Sequence, residues 1–379
     1  MKTAFIYSND FARFDYGSSH PLKLVRLKLT YELINACGLL VPSDHRLVEP
    51  SPASIEDLLT YHTREYIDML RNSNSGGHIA GADLFGLGSG DNPVFPGVLD
   101  GSLLVAGASL RAAELVDSGE AEVAFNIAGG LHHAMADHAS GFCLINDPVI
   151  AIKSLVSRGR RVAYIDIDAH HGDGVQSAFY DTDQVLTISL HETGLMLFPG
   201  SGFEQEIGVG EGKGYSVNVP LPPDSDDELF TYAFTEIVPP FIKTFKPDIV
   251  VSQLGVDSFR NDTLAHLNLT TNGFCNMVSM IKALARKWLA LGGGGYDITN
   301  VARSWTLAWA LMNDVDAPED IPEDFLRKYP LAGFSGRKLR DEPFVIMGRR
   351  KKEMKRDVDK VITYIHKNIK LSNGFKTAS

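Results

Sequence analysis

The sequence predicts an α/β protein, a mostly parallel sheet covered by helices on both faces. Two observations carry this. From residue 123 to residue 313, short β-branched stretches alternate with longer helical ones, the pattern of parallel strands joined by crossover helices. Several of those strands also end in glycine followed by Asp, His or Tyr, and in open parallel sheets ligands sit outside the carboxyl ends of the strands. With 379 residues the chain is long enough for a large buried core.

The elements follow in chain order. Residues 5–7 start a strand, 16–21 form a loop, and 23–39 read as a helix. Residues 54–70 read as a second helix with Ser54 as N-cap. Residues 72–97 carry six glycines between Gly76 and Gly90 and read as one irregular, functional or disordered loop. Residues 99–116 form a small-residue, apolar helix that belongs in the interior. Strands then fall at 123–127, 161–167, 185–190, 215–219, 248–253 and 288–291. Helices fall between and after them at 149–157, 174–180, 227–244, 273–286 and 300–313. Residues 316–330 are rich in proline and acid, and a basic cluster follows from Arg349 to Arg356. Val358, Val361, Ile362 and Ile365 recur at helical spacing, so a last helix packs one face on the body while its basic residues face solvent. The domain is expected over 1–371, with core motifs in 5–313, a helical extension over 314–371 and a frayed tail over 372–379.

Composition narrows the function classes. Hydrophobic content of 44% and charged content of 22% read as an ordinary soluble globular protein. No apolar run is long enough to span a membrane, and the N-terminus is too short in its apolar part for a signal peptide. A net charge of −11 argues against nucleic acid as a partner. Cys37, Cys143 and Cys275 are widely spaced, neither a disulfide framework nor a zinc finger, and suit a reducing compartment such as the cytoplasm.

Four stretches could carry chemistry. In Ala128-Gly129-Gly130-Leu131-His132-His133, glycines allow a sharp turn and two histidines suit a general base and acid, or a pair of backbone-bonded loop histidines. In the stretch from Asp166 to Asp173, Asp168 and His170 lie two apart and point to one side of an extended chain. They suit a divalent metal or a helix cap. Gln253-Leu254-Gly255-Val256-Asp257 places another carboxylate just past an apolar strand. Gly292-Gly293-Gly294-Gly295-Tyr296 reads as a flexible loop whose tyrosine could donate to an oxyanion. No Lys-Ser/Thr follows it, which excludes a P-loop. Together Asp168, His170 and Asp257 offer three ligands with a position left open, the arrangement of a catalytic zinc, and oxygen-rich enough for iron(II). A metal there lowers the pKa of bound water from ~15.7 toward ~7. With His132 or His133 as base and Tyr296 on the oxyanion, the set reads as an amide hydrolase.

These motifs, with Gly141-Phe142-Cys143 and Tyr164-Ile165-Asp166-Ile167-Asp168-Ala169-His170-His171-Gly172-Asp173-Gly174, resemble the zinc-dependent histone deacetylase superfamily, including its bacterial and acetoin-utilisation members. The resemblance implies the arginase–deacetylase fold, a single α/β domain around an eight-stranded parallel sheet flanked by helices. It implies Asp168, His170 and Asp257 as zinc ligands. It makes His132 and His133 catalytic, His132 leaning on Asp166 and His133 on Asp173, with His133 the better general base. Tyr296 matches the transition-state tyrosine. Gly141, Phe142 and Phe198 match the walls of an acyl-lysine tunnel, Leu264 its rim, and Asp91 a loop carboxylate that binds the substrate backbone. Arg26 resembles an arginine lining a channel for the acetate product. Structural or regulatory potassium is implied beside Asp166, Asp168, His170, Ser189 and Leu190, and again beside Phe179, Thr182, Val185 and Tyr215. Leu144 departs from the tyrosine of many relatives, beside the tunnel motif.

The expected activity is metal-dependent hydrolysis of the amide of N-ε-acetyl-lysine in a protein or peptide. The alternatives are deacylation of small molecules such as acetylpolyamines, longer acyl-lysines as substrates, a silent acyl-lysine binder, and a manganese hydrolase of the arginase type. The last needs a second ligand set that the sequence does not offer.

Overall fold

A computed structural model describes residues 2–40 and 45–371, so the expected frayed tail lies outside the described residues. Eight strands form one sheet: β1 (Thr3–Ile6), β2 (His45–Val48), β3 (Val123–Asn126), β4 (Val162–Asp166), β5 (Val185–Glu192), β6 (Ser216–Leu221), β7 (Ile249–Gln253) and β8 (Trp288–Leu291). Their order is β2-β1-β3-β8-β7-β4-β5-β6, and every pairing is parallel. Except for edge strand β2, the strands are buried along their length. That suits the near-continuous Val, Ile and Ala runs of a sheet covered on both faces.

Strand β2 was not among the expected strands. His45-Arg46-Leu47-Val48 is half polar, pairs with β1 alone, and leaves Leu47 51% exposed. An edge strand lacks the apolar run that marks a central one. The expected helix over 54–70 is two helices, Ile55–Leu58 and Arg64–Asn72. Ser54 caps the first with a reciprocal capping box, and Thr63 caps the second. Between them Tyr61 donates to the Gly174 carbonyl and His62 accepts the Asn146 N–H. These tertiary bonds break the helix where the periodicity continues.

The glycine-rich stretch is ordered. It holds short 3₁₀ turns at Ser73–Ser75 and Ala82–Phe85. It folds over a small second core that includes Tyr66, Leu70, Leu87, Val98 and Ile145. The helix Val98–Ser118 is largely buried, as its small residues predict. Within 316–330, a short helix at Glu323–Lys328 adds an element not expected from the composition. The last helix, Gly348–Asn368, buries Met354, Val358, Ile362 and Ile365 and packs on β6 and the helix Asp227–Phe245. Most of its basic cluster faces solvent and pairs with acids, Arg350 with Asp224 and Lys355 with Asp359, while half-buried Lys351 reaches buried Asp226.

The register positions the site. Asn126, Leu291, Gln253 and Asp166 lie side by side across β3, β8, β7 and β4. The four chains leave the sheet from one line, and each delivers its polar residues within the next seven positions.

Candidate active site

The four motifs converge because β3, β8, β7 and β4 are consecutive neighbours in the sheet. His132 and His133 follow β3, Tyr296 follows β8, Asp257 follows β7, and Asp168 and His170 follow β4.

Asp168, His170 and Asp257 are buried, and one ligand atom from each lies within 4.8 Å of the others. Nδ1 of His170 is 3.2 Å from Asp168 Oδ1 and 2.9 Å from Asp257 Oδ2. The remaining carboxylate oxygens are held from behind. Asp168 Oδ2 accepts from Gln253 Nε2 at 2.6 Å and from the Gly294 N–H at 2.7 Å, and Asp257 Oδ1 accepts the Ala169 N–H at 2.8 Å. Burial and the adjacent Asp168 carboxylate push Asp257 up to about 7. Burial alone would lower His170, but Asp168 and Asp257 outweigh it and hold it at about 10. Two buried carboxylates against one imidazole call for positive charge between them.

The glycine loop is not a flexible tether. A Cβ on Gly294 would lie 2.0 Å from Asp257 Oδ2 and 2.8 Å from Asp168 Oδ2. Glycine there lets a backbone N–H reach the carboxylate directly.

The tandem histidines sit beside this cluster, both buried. His132 Nδ1 is 2.8 Å from Asp166 Oδ2, which also accepts the Tyr164 hydroxyl at 2.7 Å. His133 Nδ1 is 2.7 Å from Asp173 Oδ1. Burial lowers His132, but Asp166 and Asp168 outweigh it and hold it at about 9. Burial and the charge on His132 push His133 below the usual imidazole value.

The pair Asn146-Asp147 clamps the histidine turn. Asn146 Nδ2 donates to the carbonyls of His132 at 3.1 Å and Ala134 at 3.0 Å. Asp147 accepts the N–H groups of Gly130 at 3.1 Å and Leu131 at 2.9 Å. Both residues are fully buried. Asn146 also caps the helix Asp147–Ser157, its side-chain oxygen accepting the Val149 N–H at 3.1 Å.

Tyr296 packs its ring edge-on against Phe142, centroids 5.6 Å apart. Burial and the nearby Asp257 and Asp168 raise its phenol well above the ordinary value, so it stays protonated at neutral pH. Phe198 stacks edge-on against His133 at 5.0 Å and is 47% exposed. Gly141 lies between, with φ of 52°. The three expected wall residues therefore border the histidines and the tyrosine.

A family model for the histone deacetylase domain matches residues 20–312. The chain belongs to the histone deacetylase family. It is 40% identical over 335 residues to the acetoin utilization protein AcuC of Bacillus subtilis, covering 86% of each chain. It is 40% identical over 324 residues to histone deacetylase 1 of Homo sapiens, covering 85% of this chain and 66% of that one. Among solved structures, an HDAC homolog complexed with SAHA aligns with a TM-score of 0.86 at 34% identity, over 96% of this chain and all of that one. An HDAC homolog from Aquifex aeolicus aligns at 0.85. The fold is the arginase–deacetylase fold, and the family is one of metal-dependent hydrolases.

Other expected residues of this deacetylase-family chain lie further out. Leu264 is half-buried on the loop after Asp257. The Asp91 side chain is exposed, and its backbone carbonyl lies 3.1 Å from Nε2 of buried His20. Arg26 is buried behind the glycine loop. It donates to the carbonyls of Gly293 at 2.8 Å and Gly295 at 2.9 Å, and with Tyr16, Leu131 and Leu144 it lines a cavity of about 50 Å³. Leu144, the departure beside the tunnel motif, thus faces this cavity. The motif reading missed Gln253 as a partner of Asp168, along with Asn146, Asp147 and Asp262. Their contacts are to backbone groups or to a carboxylate on neighbouring loops, which no local spacing announces.

Proposed function

We propose that this protein hydrolyses the amide of N-ε-acetyl-lysine in a protein or peptide. The observation that carries the reading is the convergence, at four neighbouring strand ends, of a buried Asp-His-Asp cluster, two carboxylate-backed histidines and a protonated tyrosine. The donor set fits a divalent ion, with zinc expected and iron(II) the alternative. Asp168, His170 and Asp257 would hold it. When bound, it polarises the acyl carbonyl and lowers the pKa of a water toward ~7.

The chain's own residues supply the rest. Phe142 and Phe198 take the methylene stem of lysine, at about 0.8 kcal/mol per buried CH₂. Asp91 and Leu264 meet the substrate at the mouth. His133, neutral and fixed in tautomer by Asp173 at Nδ1, accepts the proton of the attacking water at Nε2. Tyr296 donates its O–H to the oxyanion as it forms. The His132–His133 pair then returns a proton to the leaving amine. A potassium ion is proposed beside Asp166, the last residue of β4, and its register partner Ser189 inside β5, and a second near Phe179 and Tyr215. The free thiols of Cys37, Cys143 and Cys275 support a cytoplasmic setting.

An apolar rim favours a peptide over a polycationic small molecule, with Leu195 79% and Met196 61% exposed on the loop that carries Phe198. The test is acetate release from an acetyl-lysine peptide by zinc-loaded protein, with Asp168→Ala alongside. Turnover lost in the variant is expected. Faster release from an acetylpolyamine would shift the substrate to small amines, and a longer acyl chain hydrolysed faster would shift the acyl group. No turnover on any of them would overturn the reading.

A further inference from the structure

We propose that Asp262 is a positioning residue, one buried carboxylate that sets both Tyr296 and the rim residue Leu264. The inference rests on the role given to Tyr296 above. Asp262 is 8% exposed, and among the described residues no Lys, Arg or His forms an ion pair with it. A buried carboxylate without a cation needs donors. It finds them on two loops. Oδ2 accepts the backbone N–H of Tyr296 at 2.7 Å and, more weakly, of Asp297 at 3.4 Å. Oδ1 accepts the N–H of Leu264 at 3.0 Å.

A capping role for the helix Ile298–Met312 does not explain these bonds. Asp297 already caps it, its side chain accepting from Thr299 at 2.9 Å and Asn300 at 3.2 Å. The strong bond of Asp262 falls instead on the residue whose phenol faces the reaction. Gly292 to Gly295 precede Tyr296 and bring no side chains to stiffen the approach. Arg26 holds the Gly293 and Gly295 carbonyls from behind, and the Asp262 bond is the one that falls on the tyrosine's own N–H. The loop after β7 thus carries a metal-type ligand at Asp257, the tie to Tyr296 at Asp262 and the substrate rim at Leu264. Substrate pressing on the rim and the placement of the oxyanion donor share one side chain.

The experiment is a double-mutant cycle on the zinc-loaded full chain, together with ¹⁹F NMR of protein labelled as 3-fluorotyrosine at position 296. Displacing the phenol by about 1 Å costs on the order of a hundredfold, so Asp262→Ala is expected to lower kcat by about that factor. In the Tyr296→Phe background it is expected to lower kcat no further. Asp262→Asn keeps one oxygen, which turns toward the two N–H groups of Tyr296 and Asp297. It is therefore expected to raise KM more than it lowers kcat. The ¹⁹F resonance is expected to shift or split in Asp262→Ala. An unchanged resonance in folded Asp262→Ala overturns the proposal, as does an equal loss of kcat in both backgrounds. A parent inactive on acetyl-lysine peptide overturns the functional reading, and the ¹⁹F arm then decides this one alone. Should Asp262→Ala fail to fold, Asp262→Asn with the parental KM overturns the coupling to the rim.

Discussion

Nε2 of His132 and Nε2 of His133 face each other at 3.0 Å. Two N–H bonds cannot both point into that gap, so it holds at most one proton. The carboxylates decide where it goes. Asp166 and Asp168 overcome burial and hold the charge on His132, while burial and that charge keep His133 neutral. The Nε2–H of His132 then fills the gap, and neutral His133 takes a proton at its own Nε2 only as that N–H swings out of the gap. Steady-state kinetics of the zinc-loaded protein should show kcat down about 10²–10⁴-fold in His133→Ala. Asp173→Asn should cost about 10–100-fold, with metal content intact. Parental rates in both variants would place the base elsewhere.

Tyr296→Phe should lower kcat by about 10²–10³-fold while leaving KM and bound metal near parental values, since only the oxyanion donor is removed. Metal analysis of the purified variant separates this from loss of the ion.

The Asp168-His170-Asp257 cluster is short of positive charge, so a divalent ion should stabilise the fold as well as activate it. At about a thousandfold excess of zinc over its Kd the gain is ~4 kcal/mol. Calorimetry after chelation should give a lower Tm that zinc restores, and Asp257→Ala should abolish the zinc response. A Tm indifferent to zinc in the parent would contradict the site.

Gly141 has φ of 52°, and a Cβ there would lie 2.5 Å from His133 Cδ2 and 2.9 Å from Phe198 Cε1. Gly141→Ala should destabilise by about 1–3 kcal/mol and lower kcat/KM, because ring and imidazole must both move. Urea unfolding and kinetics on one preparation check both effects.

His62 gives the fold an acid limit. Its Nε2 accepts the Asn146 N–H at 3.0 Å, and burial, only partly offset by the nearby Ala136 and Met135 backbone, depresses its pKa to about 4. A depressed imidazole binds fewer protons folded than unfolded. Its contribution is therefore full above pH ~6.5 and is lost as pH falls toward 4, up to ~3 kcal/mol. His62→Gln should flatten the stability curve between pH 6.5 and 4. Curves of equal slope for parent and variant would assign the acid loss to other groups, such as buried His191, which is also depressed to about 4.

Much of this molecule is legible in one dimension. Val, Ile and Ala runs between helical stretches announce buried parallel strands, because a strand covered on both faces must be apolar throughout. The glycine-punctuated strand ends announce ligand chemistry. Strand β2 and the break at residues 59–63 were not legible, since an edge strand and a helix interruption are decided by neighbours rather than by period. The glycine loop read as flexible, whereas tertiary contact makes it rigid: Gly294 is needed so that two carboxylates can approach the backbone.

By itself the sequence determined the fold class, the family motifs and the chemical types at Asp168, His170, Asp257, His132, His133 and Tyr296. These depend on residue identity and on short spacings that the backbone must obey. Only the tertiary structure decided that β3, β8, β7 and β4 stand side by side, although β3 and β8 are more than 160 residues apart. Only that adjacency brings Asp262 under Tyr296 and Gln253 against Asp168. Strand order follows from how whole faces bury against one another, a cooperative property of the core that no local window contains.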